Sequence, residues 1–256
     1  MGDGINDVTA LKISDVSISV ENAVPVAKDA ADIILLEKNF SVLKDGIEEG
    51  RKTFENTLKY IRMWLSSNFG NMFSMMGASA FLPFLPMAPQ QILLNNFLYD
   101  AAQIGLPTDR VDTLSIRKPS RWNLRGIRRY MLVFGTISSV FDFLTFGILY
   151  GVFHLGERTF QTGWFLESLA TQVLVIFIIR TRRIPFFRST PSGFLILNTA
   201  IILLIGWTIA LSPFGKVFGF EPLPPALFAA LLGITILYLA TVEGAKRLFE
   251  KLVRME

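Results

Sequence analysis

Six residues near the start of the chain, Gly2-Asp3-Gly4-Ile5-Asn6-Asp7, set two carboxylates four positions apart with an amide between them. A hard cation such as Mg2+ takes carboxylate oxygens and shares its shell with phosphate oxygens. Gly2 and Gly4 permit close backbone approach to an anion and unusual dihedrals. The loop is suited to hold Mg2+ against a phosphoryl group, although the same residues also make an ordinary turn. A second polar set, Asn68, Asn71, Asn96 and Asp100, lies in otherwise apolar sequence. Asn68 and Asn71 are one helical turn apart, with Ser67 and Ser74 nearby, and Asn96 and Asp100 at i,i+4 share a helix face.

The elements that must carry these groups follow from where charge is missing. The 256 residues are 51% hydrophobic and 18% charged, with mean hydropathy +0.45, against roughly 25% charged in ordinary soluble domains. With no cysteine and one histidine, the chain excludes disulfide scaffolds, thiol chemistry and Cys-based zinc sites. Residues 63–99 hold no Asp, Glu, Lys, Arg or His, enough for two helical spans of about 20 residues each. Pro83, Pro86 and Pro89 divide that run, because a lipid-embedded helix through three prolines loses backbone hydrogen bonds. Four further apolar runs contain only two acids, Asp142 and Glu167. The spacing predicts a six-span helical bundle in residues 63–243, with spans near 63–82, 88–104, 130–153, 162–179, 192–212 and 222–242, and a tail at 244–256.

Lys and Arg number 8 in residues 1–62, 7 in 105–129, 4 in 180–191 and 4 in 243–256, whereas the opposite-side loops hold only Arg158 and Lys216. That alternation predicts cytoplasmic termini and basic loops that anchor the topology; nothing in it points to nucleic acid. With no signal peptide, the first span is expected to direct insertion into a prokaryotic plasma (inner) membrane.

Within such a bundle a mid-helix carboxylate costs roughly 2.5–3.5 kcal/mol on the insertion scale and usually faces a polar cavity. Amide and carboxylate oxygens on two facing helices can replace part of a divalent cation's water shell, and Mg2+, which sheds water reluctantly, would bind there partly hydrated. The alternative is that the asparagines tie helices together. Asp142 and Glu167 are expected to serve structure, Trp164 and Trp207 to sit near an interface, and Gly147 and Gly151 to give a weak helix-packing signal.

Residues 1–39 read as alternating α/β structure: a strand at 16–20, a short helix over 24–30 with Pro25 in its first turn, and a buried strand at 32–36. So small a strand-helix-strand piece cannot bury its own faces and reads as the tail of a larger parallel-sheet domain. A long helix starts near Phe40 with Asn39 as N-cap. Its apolar positions Phe40, Leu43, Ile47, Phe54, Leu58, Ile61 and Leu65 share one face, weakened at Gly46 and Gly50. Residues 40–62 would form a stalk running into the first span.

The opening MGDGINDVTAL, followed by AADIILL, a helix and a span, resembles the end of the phosphorylation domain of P-type cation-transporting ATPases, a haloacid-dehalogenase-like fold. The resemblance continues through LKYIRMWLSSNFGNMFSMMGASAFLPFLPM, QQILLNNFLYDAAQ, IRKPSRWN, ISSVFDFLTF, QTGWFLESLATQ and IIRTRRIPF, and is nearest to the bacterial magnesium-transporting branch. It implies that Asp3 binds the catalytic Mg2+, that Asn6 and Asp7 complete that site, and that Gly2 and Gly4 shape it. It also implies that Asn68, Asn71, Asn96 and Asp100 contribute to the transported-ion site. Thr9 stands where many members have Pro. Calcium pumps of related type carry an acid at the position of Asn71, so the amide fits the magnesium-like branch better.

The chain contains neither an Asp-Lys-Thr-Gly-Thr segment nor a Thr-Gly-Glu motif. The aspartate phosphorylated in the family, the nucleotide domain that binds ATP and the first four spans are absent. The resemblance thus covers about the last third of a pump, and points to a truncated gene, an internal start or a partial gene. The expected function is that of the C-terminal part of a magnesium importer, inactive by itself, whose partners are the bilayer, a divalent cation and the missing N-terminal portion. The alternatives are a standalone membrane module without ATPase activity, or a pump for another divalent cation such as calcium. A soluble-type phosphatase is disfavoured, because the nucleophile and most of the sheet are missing.

Overall fold

A computed structural model describes residues 1–37, 39–117 and 119–255; Lys38, Lys118, Glu256 and the side chains of Phe40, Leu114 and residues 252–255 lie outside the described residues. The chain divides into two compact units, Met1–Thr53 and Phe54–Glu256.

In the first unit the Gly-Asp-Gly loop enters a 3-10 turn, Ile5–Asp7, and then helix α1, Val8–Ile13. Strand β1, Ile18–Val20, pairs in parallel with strand β2, Ile33–Leu35, with Ile18 opposite Ile33. Helix α2, Pro25–Asp29, connects them and begins on proline, whose missing N–H costs nothing in a first turn. Leu11, Val20, Ala23 and Ala27 form the small core. Strand β2 departs from expectation. Ile33 and Ile34 are 46% and 41% exposed, because a two-stranded sheet with short helices cannot cover both its faces. Ser17 ties the crossover: its N–H and Oγ–H both donate to Asp32 Oδ2, at 2.8 and 2.7 Å. These bonds hold the Asp32 carboxyl below its ordinary pKa of 3.8.

Helix α3 is one unbroken element, Phe40–Ala78. Asn39 Oδ1 accepts from Ser41 N at 2.9 Å, the N-cap geometry. Along its expected apolar face Leu58 is buried, while Ile47 is 47% exposed.

The second unit is helical: α4, Pro89–Gln103; α5, Thr113–Ile116; α6, Leu124–Phe146, running into a π-helical turn, Gly147–Val152; α7, Glu157–Ile179; α8, Gly193–Leu211; and α9, Pro225–Met255. By length and composition four helices can cross a membrane: Leu124–Val152, Glu157–Ile179, Gly193–Leu211 and Pro225–Lys251. Helix α4, at 15 residues, is about 22 Å long at 1.5 Å per residue, short of the roughly 30 Å of a bilayer core.

Helix α7 is the axis of the bundle. Its apolar window is 83% buried, against 28% for α8, and it packs on α4, α8 and α9. The core around it is aromatic and aliphatic, including Phe146, Phe160, Trp164, Phe165 and Leu169. Helices α3 and α6 cross at small residues. A Cβ on Gly135 would lie 2.9 Å from Ser66 O, and one on Gly70 would lie 3.1 Å from Gly135 O. Ser139 Oγ seals the crossing by donating to Gly70 O at 3.0 Å. The Gly147/Gly151 signal does not describe a packing site, since a Cβ on either would meet nothing within 4 Å. Asn198 of α8 grips the end of α4, donating to Ala101 O and Ala102 O at 2.9 and 3.0 Å.

Candidate functional site

Asp7 organises the loop of the first unit. Its Oδ2 accepts the N–H groups of Asp3 and Gly4, each at 3.0 Å. The loop is anchored by Gly2 N to Ile18 O at 3.1 Å and Ser19 Oγ to Gly2 O at 2.9 Å. Gly2 is needed for space, since a Cβ there would sit 2.3 Å from Asp7 Cβ. Neither loop glycine uses the left-handed region; Gly4 is extended at φ −103 and ψ 168. The role expected for them in unusual dihedrals is not used; close packing requires glycine at Gly2, while a Cβ on Gly4 would make only an ordinary contact with Asp7 at 3.6 Å. Asp3 and Asn6 are exposed and Asp7 is half-buried. One Asp7 oxygen is committed to the loop, and Asp3 is the more exposed of the two carboxylates. One or two carboxylates with phosphate oxygens and water suit Mg2+. Among the described residues no group of three or more His, Cys, Asp or Glu side chains gathers into a metal-holding cluster.

In the second unit the amides expected to handle an ion fall into different surroundings. Asn68 donates to Trp64 O of its own helix at 2.9 Å. Asn71 reaches across to α7: its Oδ1 accepts from Gln172 Nε2 at 3.3 Å, and Gln172 Nε2 also meets Ser168 Oγ at 2.6 Å. Asn96 is half-buried and Asp100 exposed. Asp100 lies on the outward side of α4 that carries Leu93, Phe97 and Ile104, 72%, 69% and 65% exposed. No hydrogen bond joins Asn68 or Asn71 to Asn96 or Asp100 among the described residues. The inward asparagine of α4 is Asn95, 2% exposed, with Oδ1 buried and unpartnered.

The buried acids form the other polar centre. Asp142 accepts from Ser74 Oγ at 2.6 Å and Trp164 Nε1 at 2.8 Å, joining α3, α6 and α7. Trp164 is 1% exposed, so it is a core donor and not an interfacial residue. Glu167, also 1% exposed, keeps Oε2 buried without a partner. Gln172 and Asn95, which sequence reasoning passed over, line up with these groups in kind: polar side chains kept inside a bundle. The signal in α7 was present, since Gln161, Glu167, Ser168, Thr171 and Gln172 interrupt an apolar run, and a helix polar at those points belongs at a bundle's centre.

A buried ion-pair hub closes one end of the bundle. Asp109 Oδ2 accepts from Arg180 Nε at 2.8 Å and Lys59 Nζ at 3.3 Å, with the Asp109 and Arg180 side chains fully buried. Arg180 also donates to Ser189 O and Thr190 O, and Asn56 Nδ2 to Pro107 O. Burial pushes the Lys59 pKa down and Asp109 pulls it back up. Removing one partner from such a buried set costs far more than the intact set contributes.

Residues 84–248 match the family of cation-transporting ATPase C-termini, and residues 1–47 match the haloacid dehalogenase-like hydrolases. The chain is 47% identical over 255 residues, 98% of its length, to the magnesium-transporting ATPase, P-type 1, of Escherichia coli K12. The chain belongs to the P-type cation-transporting ATPases. Its 255 matched residues correspond to 28% of the length of that E. coli relative. A magnesium-transporting ATPase of Salmonella typhimurium LT2 is 46% identical over the same share of both chains. The calcium-transporting ATPase of Bacillus subtilis 168 is 29% identical over 95% of this chain and 28% of its own length. As a P-type ATPase region, the chain carries an end of the haloacid-dehalogenase-like fold followed by helices of a multi-pass membrane protein.

Proposed function

We propose that this chain supplies the end of the phosphorylation domain and part of the membrane domain of an ATP-driven pump that brings Mg2+ into the cytoplasm across the plasma membrane of a prokaryote. The observation that carries this reading is the identity of 47% to a magnesium-transporting ATPase against 29% to a calcium-transporting one, each over nearly the whole chain. In this reading residues 63–82 and 88–104 join the four long apolar helices to make six spans, with the bilayer thinning locally around the short α4, and the 23 bases against 2 in alternate segments support cytoplasmic termini.

In this reading Asp3 holds the catalytic Mg2+, which when bound neutralises charge on phosphoryl oxygens. Asp7 fixes the loop through the Asp3 and Gly4 amides and so aims Asp3, while Asn6 lies beside them for the phosphoryl group. ATP and the phosphorylated aspartate belong to the N-terminal portion of the pump, the partner of this chain. For the cargo, Asn68, Asn71, Asn96 and Asp100 offer amide and carboxylate oxygens, and Gln172 orients Asn71 by donating to its oxygen. The exposed position of Asp100 is reconciled if further helices of the pump pack on that side of α4.

The test joins this chain in frame to the N-terminal portion of the E. coli relative and expresses the hybrid in cells that lack other Mg2+ uptake. Growth at low Mg2+ is expected, with uptake that Ca2+ does not replace. A folded hybrid that fails to restore growth, or that transports Ca2+ in preference, overturns the reading.

A further inference from the structure

The loop that joins α7 to α8 folds back on the bundle instead of running out from it. Arg180, its side chain fully buried, donates to Ser189 O and Thr190 O at 3.0 and 3.1 Å, and Lys246 Nζ donates to Arg183 O at 3.2 Å. The tip is closed on itself: Pro185 bridges to Ser189, and Arg188 N donates to Ile184 O at 3.0 Å. At its apex Phe187 N donates to Pro185 O at 2.7 Å across Phe186, whose φ is +61. A hydrogen bond from residue i+2 to residue i over a positive φ marks the rare, strained form of γ-turn, and a bulky side chain seldom adopts that region. The turn leaves Phe187 90% exposed. We propose that Phe187 is an interfacial anchor, its ring inserted where the lipid headgroups of the bilayer meet the acyl chains.

Three observations converge on the bilayer as the partner. The first is the level of the tip. The Phe186 ring packs against Phe177, with centroids 5.2 Å apart, and Phe177 belongs to the last turn of α7, a helix long and apolar enough to cross a membrane. The tip therefore lies beside the end of a span. The second is the strain. A backbone held in a sparsely populated region persists only where its surroundings impose it, and here the turn keeps one phenylalanine on the bundle while directing the next away from it. An apolar ring fixed in water is unfavourable, and insertion at the interface removes that cost. The third is the charge around the ring. Arg182, Arg183 and Arg188 are exposed on the same loop, and their aliphatic stems can lie along lipid while the charged ends reach the headgroups. A protein partner would have to offer a pocket for one ring and carboxylates around it, whereas the bilayer edge beside Phe177 offers both an apolar layer and phosphates. Through Arg180 such an anchor would fix the depth of this end of α7, the axis of the bundle.

The chain contains no cysteine, so Phe187→Cys provides a single site for a fluorophore. The full chain, one copy per phosphatidylcholine nanodisc, is probed with iodide in the water and with a nitroxide on the lipid acyl chain. Lys44→Cys, exposed on α3 ahead of its apolar run, supplies the water-exposed reference. At position 187 the acyl nitroxide is expected to quench severalfold more than at position 44, and iodide severalfold less. Phe187→Trp, which keeps an aromatic ring, is expected to add emission that brominated phosphatidylcholine quenches. The native side chain is exposed, so helicity by circular dichroism should be unchanged in both variants. Iodide quenching at position 187 as strong as at position 44 would overturn the proposal. Shielding that appears only in discs holding two copies, or only in a hybrid pump carrying the N-terminal portion, would overturn it too, because the tip would then dock on protein. The measurement requires only that α7 spans the bilayer and reads no ion transport, so failure here leaves the pump reading standing.

Discussion

Asp7 and Asp142 each accept two hydrogen bonds, yet they hold together very different stretches of chain. Both donors to Asp7 are backbone amides three and four residues away, on a loop open to water. The donors to Asp142 are Ser74 and Trp164, 68 and 22 residues distant, and all three side chains are buried where helices meet. The first carboxylate shapes a loop that water can still reach. The second satisfies donors that have no other partner if it is lost. A motif that works locally can be exchanged at small cost, whereas one that works between helices is part of the packing.

The largest effect should therefore come from Asp142→Ala. It strands the Ser74 hydroxyl and the Trp164 indole N–H, at about 1–3 kcal/mol per unsatisfied buried donor. A loss of about 3 kcal/mol is expected in thermal or denaturant unfolding of the chain in detergent, and a loss below about 1 kcal/mol would break the comparison. Next, Gly135→Val should cost about 1–3 kcal/mol by overpacking, because its Cβ would press on Ser66 O and Phe69. Gly147→Ala, with nothing within 4 Å, should stay within about 0.5 kcal/mol. Equal effects at the two glycines would place the α3–α6 crossing elsewhere.

Asp7→Ala should cost about 1 kcal/mol and act locally. Hydrogen exchange should speed at the Asp3 and Gly4 amides and stay unchanged in the bundle; faster exchange in α6 or α7 would contradict a local role. The smallest effect concerns Asp32, whose folded pKa is depressed by Ser17. A depressed carboxyl pKa contributes stability that is present above the unfolded value near 3.8 and is lost as pH falls through the folded one. The first unit should weaken only below about pH 4, and Ser17→Ala, which removes the hydroxyl donor and keeps the backbone N–H, should flatten that acid dependence in part. An unchanged profile in Ser17→Ala would remove the hydroxyl as a cause and leave the backbone N–H alone responsible.

How much of this was legible follows the same division. Pro25 at a helix start, Asn39 as a cap and the Gly-Asp-Gly loop all rest on neighbours in sequence, and those rules are local. The P-type family was legible for the same reason, since its motifs are short and ordered along the chain. The facing of α4 was not. Asn95 and Asn96 are adjacent, and nothing in QQILLNNFLYDAAQ fixes which one turns inward, because apolar residues surround the helix on every side. Packing on α7 and α8 decides it, burying Asn95 and leaving Asp100 outside. Nor could sequence show that Trp164 is a donor to Asp142, since a tryptophan in an apolar run fits an interface equally well. The buried β2 was misjudged because its apolar run matched a central strand, while the sheet around it has two strands.

The account turns on whether the polar groups of α3 and α4 handle the cation. The direct measurement is ATP hydrolysis as a function of Mg2+ by the hybrid pump, with and without Asp100→Asn. The account predicts that half-maximal hydrolysis shifts to at least about tenfold higher Mg2+, equivalent to about 1.4 kcal/mol, with the fold intact. An unchanged Mg2+ dependence in a fully active Asp100→Asn pump would contradict it.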